Sequence, residues 1–180
     1  TLKEYSQAAK LFNDALKTSS DDGENLSLES HFLSSSILAG NFDKIKDRYK
    51  KFRKSATQKD SDILNRVLFA EGLSYYRTKE YPKAKKRFSY IVKNSNNSSF
   101  ADNASYYGAL VFYDQAEFEK SLEALNSFIK NYESSEFVSS AHFTVASLLY
   151  KNDKKAEAAA EFEKAATHKS ADRELKMRSY

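Results

Sequence analysis

Displacing the sequence against itself by 37 residues aligns three segments without a gap, and size and polarity stay matched through eight columns. Phe69, Tyr106 and Phe143 coincide, as do Gly72, Ala109 and Ala146, then Tyr75, Phe112 and Leu149, then Tyr76, Tyr113 and Tyr150. After a short break the register continues through Tyr81, Phe118 and Lys155, through Ala84, Ser121 and Ala158, through Phe88, Leu125 and Phe162, and through Ile91, Phe128 and Ala165. A period of this length marks a stacked array, in which each unit buries its apolar face only against its neighbours.

The second half of each unit carries a large residue, a small one three later, a large apolar one four after that, and another apolar one three further on. That spacing is one face of a helix. The signature also occurs at Phe42, Ile45, Tyr49, Phe52 and at Tyr5, Ala8, Phe12, Ala15, so five copies begin at residues 5, 42, 81, 118 and 155. Each unit reads as two amphipathic helices. The small residues, Gly72 with Ala84 or Ala109 with Ser121, are expected to let paired backbones approach closely. Polar joints at 18–25, 55–60, 94–99 and 131–136 separate the units and offer Ser, Asn and Asp as helix caps, while Pro82 falls where a missing N–H costs little. Composition agrees. With 4 Gly and 1 Pro the chain lacks the turn residues of a hairpin-rich β fold, and with no Cys it can form neither a disulfide framework nor a thiolate metal site.

At these residues a family becomes recognisable. The segment 65–96 resembles a tetratricopeptide repeat, with Gly72, Tyr75, Tyr76, Tyr81, Ala84 and Phe88 at the motif's spacing. The flanking copies depart from it at Ala109, Ala146, Ser121 and Lys155, and the proline that commonly closes the motif is absent. The resemblance implies an all-α, helical-hairpin superhelix (an α-solenoid) of about nine to ten helices. It would form a single domain over 1–180: an unpaired second helix at 1–18, repeats at about 25–55, 60–96, 99–133 and 136–169, and a capping helix at 170–180. A narrower likeness, carried by the joint Phe128-Ile-Lys-Asn-Tyr-Glu-Ser-Ser-Glu-Phe137, is to bacterial envelope members such as TolA-binding and outer-membrane-assembly lipoproteins, although Tyr132-Glu-Ser134 lacks their usual proline.

By the same resemblance, the first helices would line a concave face that binds another protein, as a peptide or helix. Its residues would be Arg66, Phe69, Leu73, Tyr76 and Arg77, then Asn103, Tyr106, Leu110, Tyr113 and Asp114, then Ser140, Phe143, Ser147, Tyr150 and Lys151. The ladder Tyr76, Tyr113, Tyr150 has two readings: a strip of phenols gripping a partner, or ordinary packing between helices.

Charge is uneven. Residues 41–93 carry 16 Lys+Arg against 6 Asp+Glu, a net +10, whereas the remainder carries 13 against 19, a net −6. The basic block comprises Lys44, Lys46, Arg48, Lys50, Lys51, Arg53 and Lys54 on one helix and Lys83, Lys85, Lys86 and Arg87 on another. It reads either as a patch for anionic lipid, an acidic protein or nucleic acid, or as a solvated outer face. Nucleic acid is the weakest of these partners, because the aromatics follow the core period instead of interleaving with the cations.

Catalysis and cofactors are not expected. His31, His142 and His168 are the only histidines, no two stand three or four apart, and Gly23, Gly40, Gly72 and Gly108 are isolated rather than grouped in a phosphate-cradling loop. The expected role is a noncatalytic scaffold in bacterial envelope assembly, outer-membrane integrity or cell division, located in the periplasm or envelope. The alternative is a cytoplasmic adaptor or regulator that uses the basic block, and self-association is a third use of the array. No run approaches the ~18 apolar residues of a membrane span. The sequence starts at Thr1 and its one methionine is Met177, which reads as a piece of a longer protein with any targeting segment upstream.

Overall fold

A computed structural model describes residues 1–56, 61–94, 98–172 and 175. Parts of the joints expected at 55–60 and 94–99, and most of the helix expected over 170–180, lie outside the described residues. Among the described residues the chain is all-α, with nine helices: α1 Leu2–Leu16, α2 Asp22–Leu38, α3 Phe42–Ser55, α4 Ser61–Arg77, α5 Tyr81–Asn94, α6 Ala101–Asp114, α7 Phe118–Asn131, α8 Val138–Lys151 and α9 Lys155–Thr167. The large residues that open the repeat signature at 42, 81, 118 and 155 are the first residues of α3, α5, α7 and α9. The first copy departs, because α1 begins three residues before Tyr5 and is capped by Thr1 and Glu4.

The helices pack as sequential hairpins in two compact units, Thr1–Ala104 and Ser105–Tyr180. In the first unit α2 packs on α1, α3 and α4, and α4 packs on α5. Its core includes Leu33, Ile37, Ile45, Tyr49, Phe52 and Val67. In the second, α8 packs on α7 and α9, around Tyr106, Leu125, Phe128, Val145 and Leu148. The small residues of the 37-residue columns are buried, Ala84, Ala109, Ser121, Ala146 and Ala158 as well as Gly72, whereas Ala8 in the first copy is half-buried. At the Ala109–Ser121 contact the helices come close enough for the Ser121 hydroxyl to donate to the Ala109 carbonyl, 3.2 Å away. At Gly72 the expected neighbour Ala84 is not what presses on the backbone. The ring of Phe88 does, with Cε1 2.6 Å from where a Cβ would stand.

Every turn inside a hairpin is built alike. Gly40, Lys79, Ala116 and Asp153, each two residues before a second helix, have φ of 80°, 61°, 59° and 60°. The amide of each bonds the carbonyl three residues back, and the next amide reaches five back, as in Asn41 N–H to Ser36 O at 2.9 Å and Glu117 N–H to Phe112 O at 2.9 Å. These are Schellman closures, which satisfy carbonyls that a helix end leaves orphaned. Only Gly40 occupies the left-handed region without a Cβ penalty. Ala116→Gly is therefore expected to stabilise by about 0.5 kcal/mol, the strain of roughly 1 kcal/mol relieved being partly offset by glycine's greater freedom in the unfolded chain. Gly40→Ala should do the reverse, and urea midpoints of the two variants measure both.

Candidate functional site

On α6, Tyr106, Leu110 and Tyr113 are spaced four and three apart, and on α8 Ser140, Phe143, Thr144 and Ser147 recur at three, one and three, so each set shares a helix face. The two faces, with Leu175, enclose a groove of about 310 Å³ in the second unit. Its polar groups are largely engaged. Thr144 Oγ1 donates to the Ser140 carbonyl at 2.9 Å and Ser147 Oγ to the Phe143 carbonyl at 2.8 Å. The Tyr106 ring stacks on Phe137 with centroids 4.7 Å apart. Burial pushes the Tyr106 phenol up to about 12, the neighbouring Tyr107 adding to it and hydrogen bonds to Ser140 and Thr144 opposing it. Lys151 places its ammonium 5.4 Å from the Tyr113 ring centre and 5.6 Å from that of Phe118. What remains is a trough of mixed polar and apolar lining with a cationic rim, whose Leu110 and Phe143 offer contact to an apolar side chain.

Of the residues expected on a concave face, six line this groove: Tyr106, Leu110, Tyr113, Ser140, Phe143 and Ser147. Thr144 and Leu175 also line it and were not foreseen, although Thr144 sits four residues after Ser140 on the same helical face. Asn103 is half-buried, and Asp114 and Lys151 are exposed. The tyrosine ladder divides. Tyr76 and Tyr113 are half-buried against the aromatic that opens the next helix, Tyr81 at 6.1 Å and Phe118 at 6.2 Å between centroids. Where Lys155 replaces that aromatic, Tyr150 is left 59% exposed.

The first-unit candidates are tied into the fold. Phe69 is buried, between Phe88 and Phe100 at 5.8 and 5.9 Å. Leu73 is half-buried. Arg66 hydrogen-bonds His31 Nδ1 at 3.0 Å and lies 5.6 Å from the Phe100 ring centre; burial lowers its pKa. The pKa of His31, stacked on Phe12 at 4.8 Å, is also lowered, by burial and then by Arg66. Arg77 reaches the Tyr5 ring, 5.5 Å away.

The basic block must also be redrawn. Lys44, Lys46, Lys50, Lys51 and Lys54 on α3 and Lys83, Lys85 and Lys86 on α5 are exposed, with Lys50 3.6 Å from Asp47 and Lys83 paired with Glu80. The three arginines are half-buried; Arg48 and Arg87 tie helices together, and Arg53 bonds within α3. Arg48 Nε donates to Glu29 at 2.6 Å and its Nη1 to Asn13 at 2.9 Å, with the guanidinium 4.0 Å from the Phe32 ring centre. Arg53 donates to the Tyr49 hydroxyl at 3.3 Å. Arg87 grips Glu71 through Nε at 2.6 Å and Nη2 at 2.8 Å.

One tie recurs with reversed polarity. Glu29 and His142 hold corresponding places in their repeats, as do Arg48 and Glu161, and His142 Nδ1 lies 2.6 Å from Glu161 Oε2. Burial works against ionisation of Glu161, but hydrogen bonds from Lys164 and His142 outweigh it and hold the carboxyl below its ordinary value. A lowered carboxyl pKa contributes stability that is present above the unfolded value, near 4.5, and is lost as pH falls through the folded one. Glu161→Gln should flatten the acid limb of a stability–pH profile below that value and leave the neutral limb's shape unchanged.

Among the described residues no group of three or more His, Asp or Glu could hold a metal ion, and no helix is long and apolar enough to cross a membrane. Residues 103–135 match the tetratricopeptide-repeat family. No curated protein matches the sequence. The structure is similar to the crystal structure of BtubC (BKLC) from P. vanneervenii, with TM-score 0.69 and 17% identity over 96% of this chain and 74% of that one, a likeness of fold.

Proposed function

We propose that this tetratricopeptide-repeat protein, a protein–protein interaction scaffold, holds its partner in the groove between α6 and α8, by an apolar side chain seated over Leu110 and Phe143. The observation that carries the reading is the convergence of two helical faces on a trough whose hydroxyls are already bonded. Such a trough offers contact area and no nucleophile–base pair, so binding is what it can do. Tyr113 and Lys151 at the rim would favour a partner with acidic residues flanking its anchor. A photocrosslinking amino acid placed at Ser147 should yield a partner adduct, and the same group at Lys120 should not. Equal adducts from both positions would overturn the assignment.

For the setting we favour envelope assembly or cell division in a bacterium. The aromatics of the joint 128–137 that carries the likeness to envelope proteins pack inward, with Tyr132 5.7 Å from Phe128 and Phe137 stacked on Tyr106. Fractionation of source cells tests this, and recovery with the cytosol would reject it. The cytoplasmic adaptor reading draws on the exposed lysines of α3 and α5. It requires salt-sensitive binding to vesicles of anionic lipid that weakens when Lys46, Lys50 and Lys54 become glutamine.

A further inference from the structure

The chain does not simply run off the end of α9. His168 Nδ1 and the Ser170 hydroxyl lie 2.8 Å apart, and the Ser170 amide donates back to His168 Nδ1 at 3.1 Å. The Ala171 amide closes on the His168 carbonyl at 3.0 Å. The same Ser170 hydroxyl accepts from the Ser139 amide, 3.2 Å away, in the first turn of α8, where helix amides lack partners of their own. The turn after α9 is thereby pinned to the start of the helix that forms one wall of the groove. Two residues on, Asp172 Oδ1 accepts the Leu175 amide at 2.7 Å, the bond of a helix N-cap. Leu175 is half-buried and lines the groove together with Tyr106, Leu110, Tyr113 and Phe143.

We propose that Leu175, held by the turn 168–172 that follows α9, acts as an internal ligand of the α6–α8 groove, so that a partner must displace it to bind. The inference rests on the reading of this groove as a binding surface. Leu175 is an apolar side chain on the same groove as Leu110 and Phe143, and the pinned turn and the Asp172 bond hold it there. A tethered ligand competes at an effective concentration of roughly millimolar for a short linker, so even weak intrinsic affinity closes the groove against weak partners while a strong one still opens it. The array would then select for partners able to outcompete its own leucine.

The probe is a fluorescein-labelled peptide with the sequence of residues 169–180, offered to the full chain and to its Leu175→Ala variant, with binding read by polarisation. The variant is expected to bind at least about ten-fold more tightly than the unaltered chain, by the competition just described. Binding should be lost with a peptide carrying Leu175→Ala, and lost again when Leu110→Asp is added to the variant. Circular dichroism of each protein shows whether the fold is kept, and Phe143→Ala serves in place of Leu110→Asp if that substitution unfolds the chain. Equal binding to the unaltered chain and the variant, abolished at Leu110, overturns self-occupancy and leaves the groove as a binding surface. No binding to the Leu175→Ala variant also overturns the proposal. Binding indifferent to Leu110→Asp overturns the groove itself.

Discussion

Replacing Arg87 by methionine is expected to lower stability by about 3 kcal/mol, the scale of a buried ion pair that loses one partner. The Glu71 side chain is only 4% exposed and that of Arg87 26%, so the carboxylate is the group stranded by the change. Its other contacts are phenols: the Tyr49 hydroxyl donates to Oε2 at 2.6 Å and the Tyr75 hydroxyl to Oε1 at 3.3 Å. The Tyr49 phenol is pushed up to about 12, by burial first and by Glu71 second, which keeps it a donor at all ordinary pH. Two neutral donors do not replace a guanidinium that grips both oxygens. Adding Glu71→Gln to Arg87→Met should restore at least half of the loss, because the neutral amide keeps an acceptor for Tyr49 without leaving a buried charge. Chemical denaturation of the two single variants and the double closes the cycle. A loss below about 0.5 kcal/mol for Arg87→Met, as for an ordinary surface residue, would return Arg87 to the basic block.

Gly72→Leu should cost about 3 kcal/mol, at the upper end for overpacking. A Cβ there meets Phe88 Cε1 at 2.6 Å, Cδ1 at 3.0 Å and Cζ at 3.1 Å. Phe88 is 1% exposed and held against Phe69, so its ring has no solvent side to turn towards. Gly72→Ala makes the same first contact and gains helix propensity of roughly 1 kcal/mol, so its cost should be smaller. Pairing Gly72→Leu with Phe88→Leu should recover part of the loss, as measured by melting temperature.

Much of this was legible in the residues. The repeat signature marked the residues at which α3, α5, α7 and α9 begin and the small pairs that are buried between them, because periodicity encodes the direction in which a side chain leaves its own helix. The six groove-lining side chains expected from the sequence came from the family resemblance, not from the periodicity. The left-handed turn residues were hidden because Lys79, Ala116 and Asp153 are not types that signal positive φ, and only Gly40 is. Lysines and arginines in the basic block looked alike, since a helix-face pattern does not say how far a long side chain reaches across to another helix.

The array of helical hairpins and the buried face of each repeat's second helix were therefore determined by the sequence alone, each being a property of one helix and its repeats. Tertiary structure decided which charges are paired, which ring presses on Gly72, which tyrosine of the ladder is bare, and that Leu175 lines the groove. Those outcomes depend on distances between side chains from different helices, set only once the hairpins have closed.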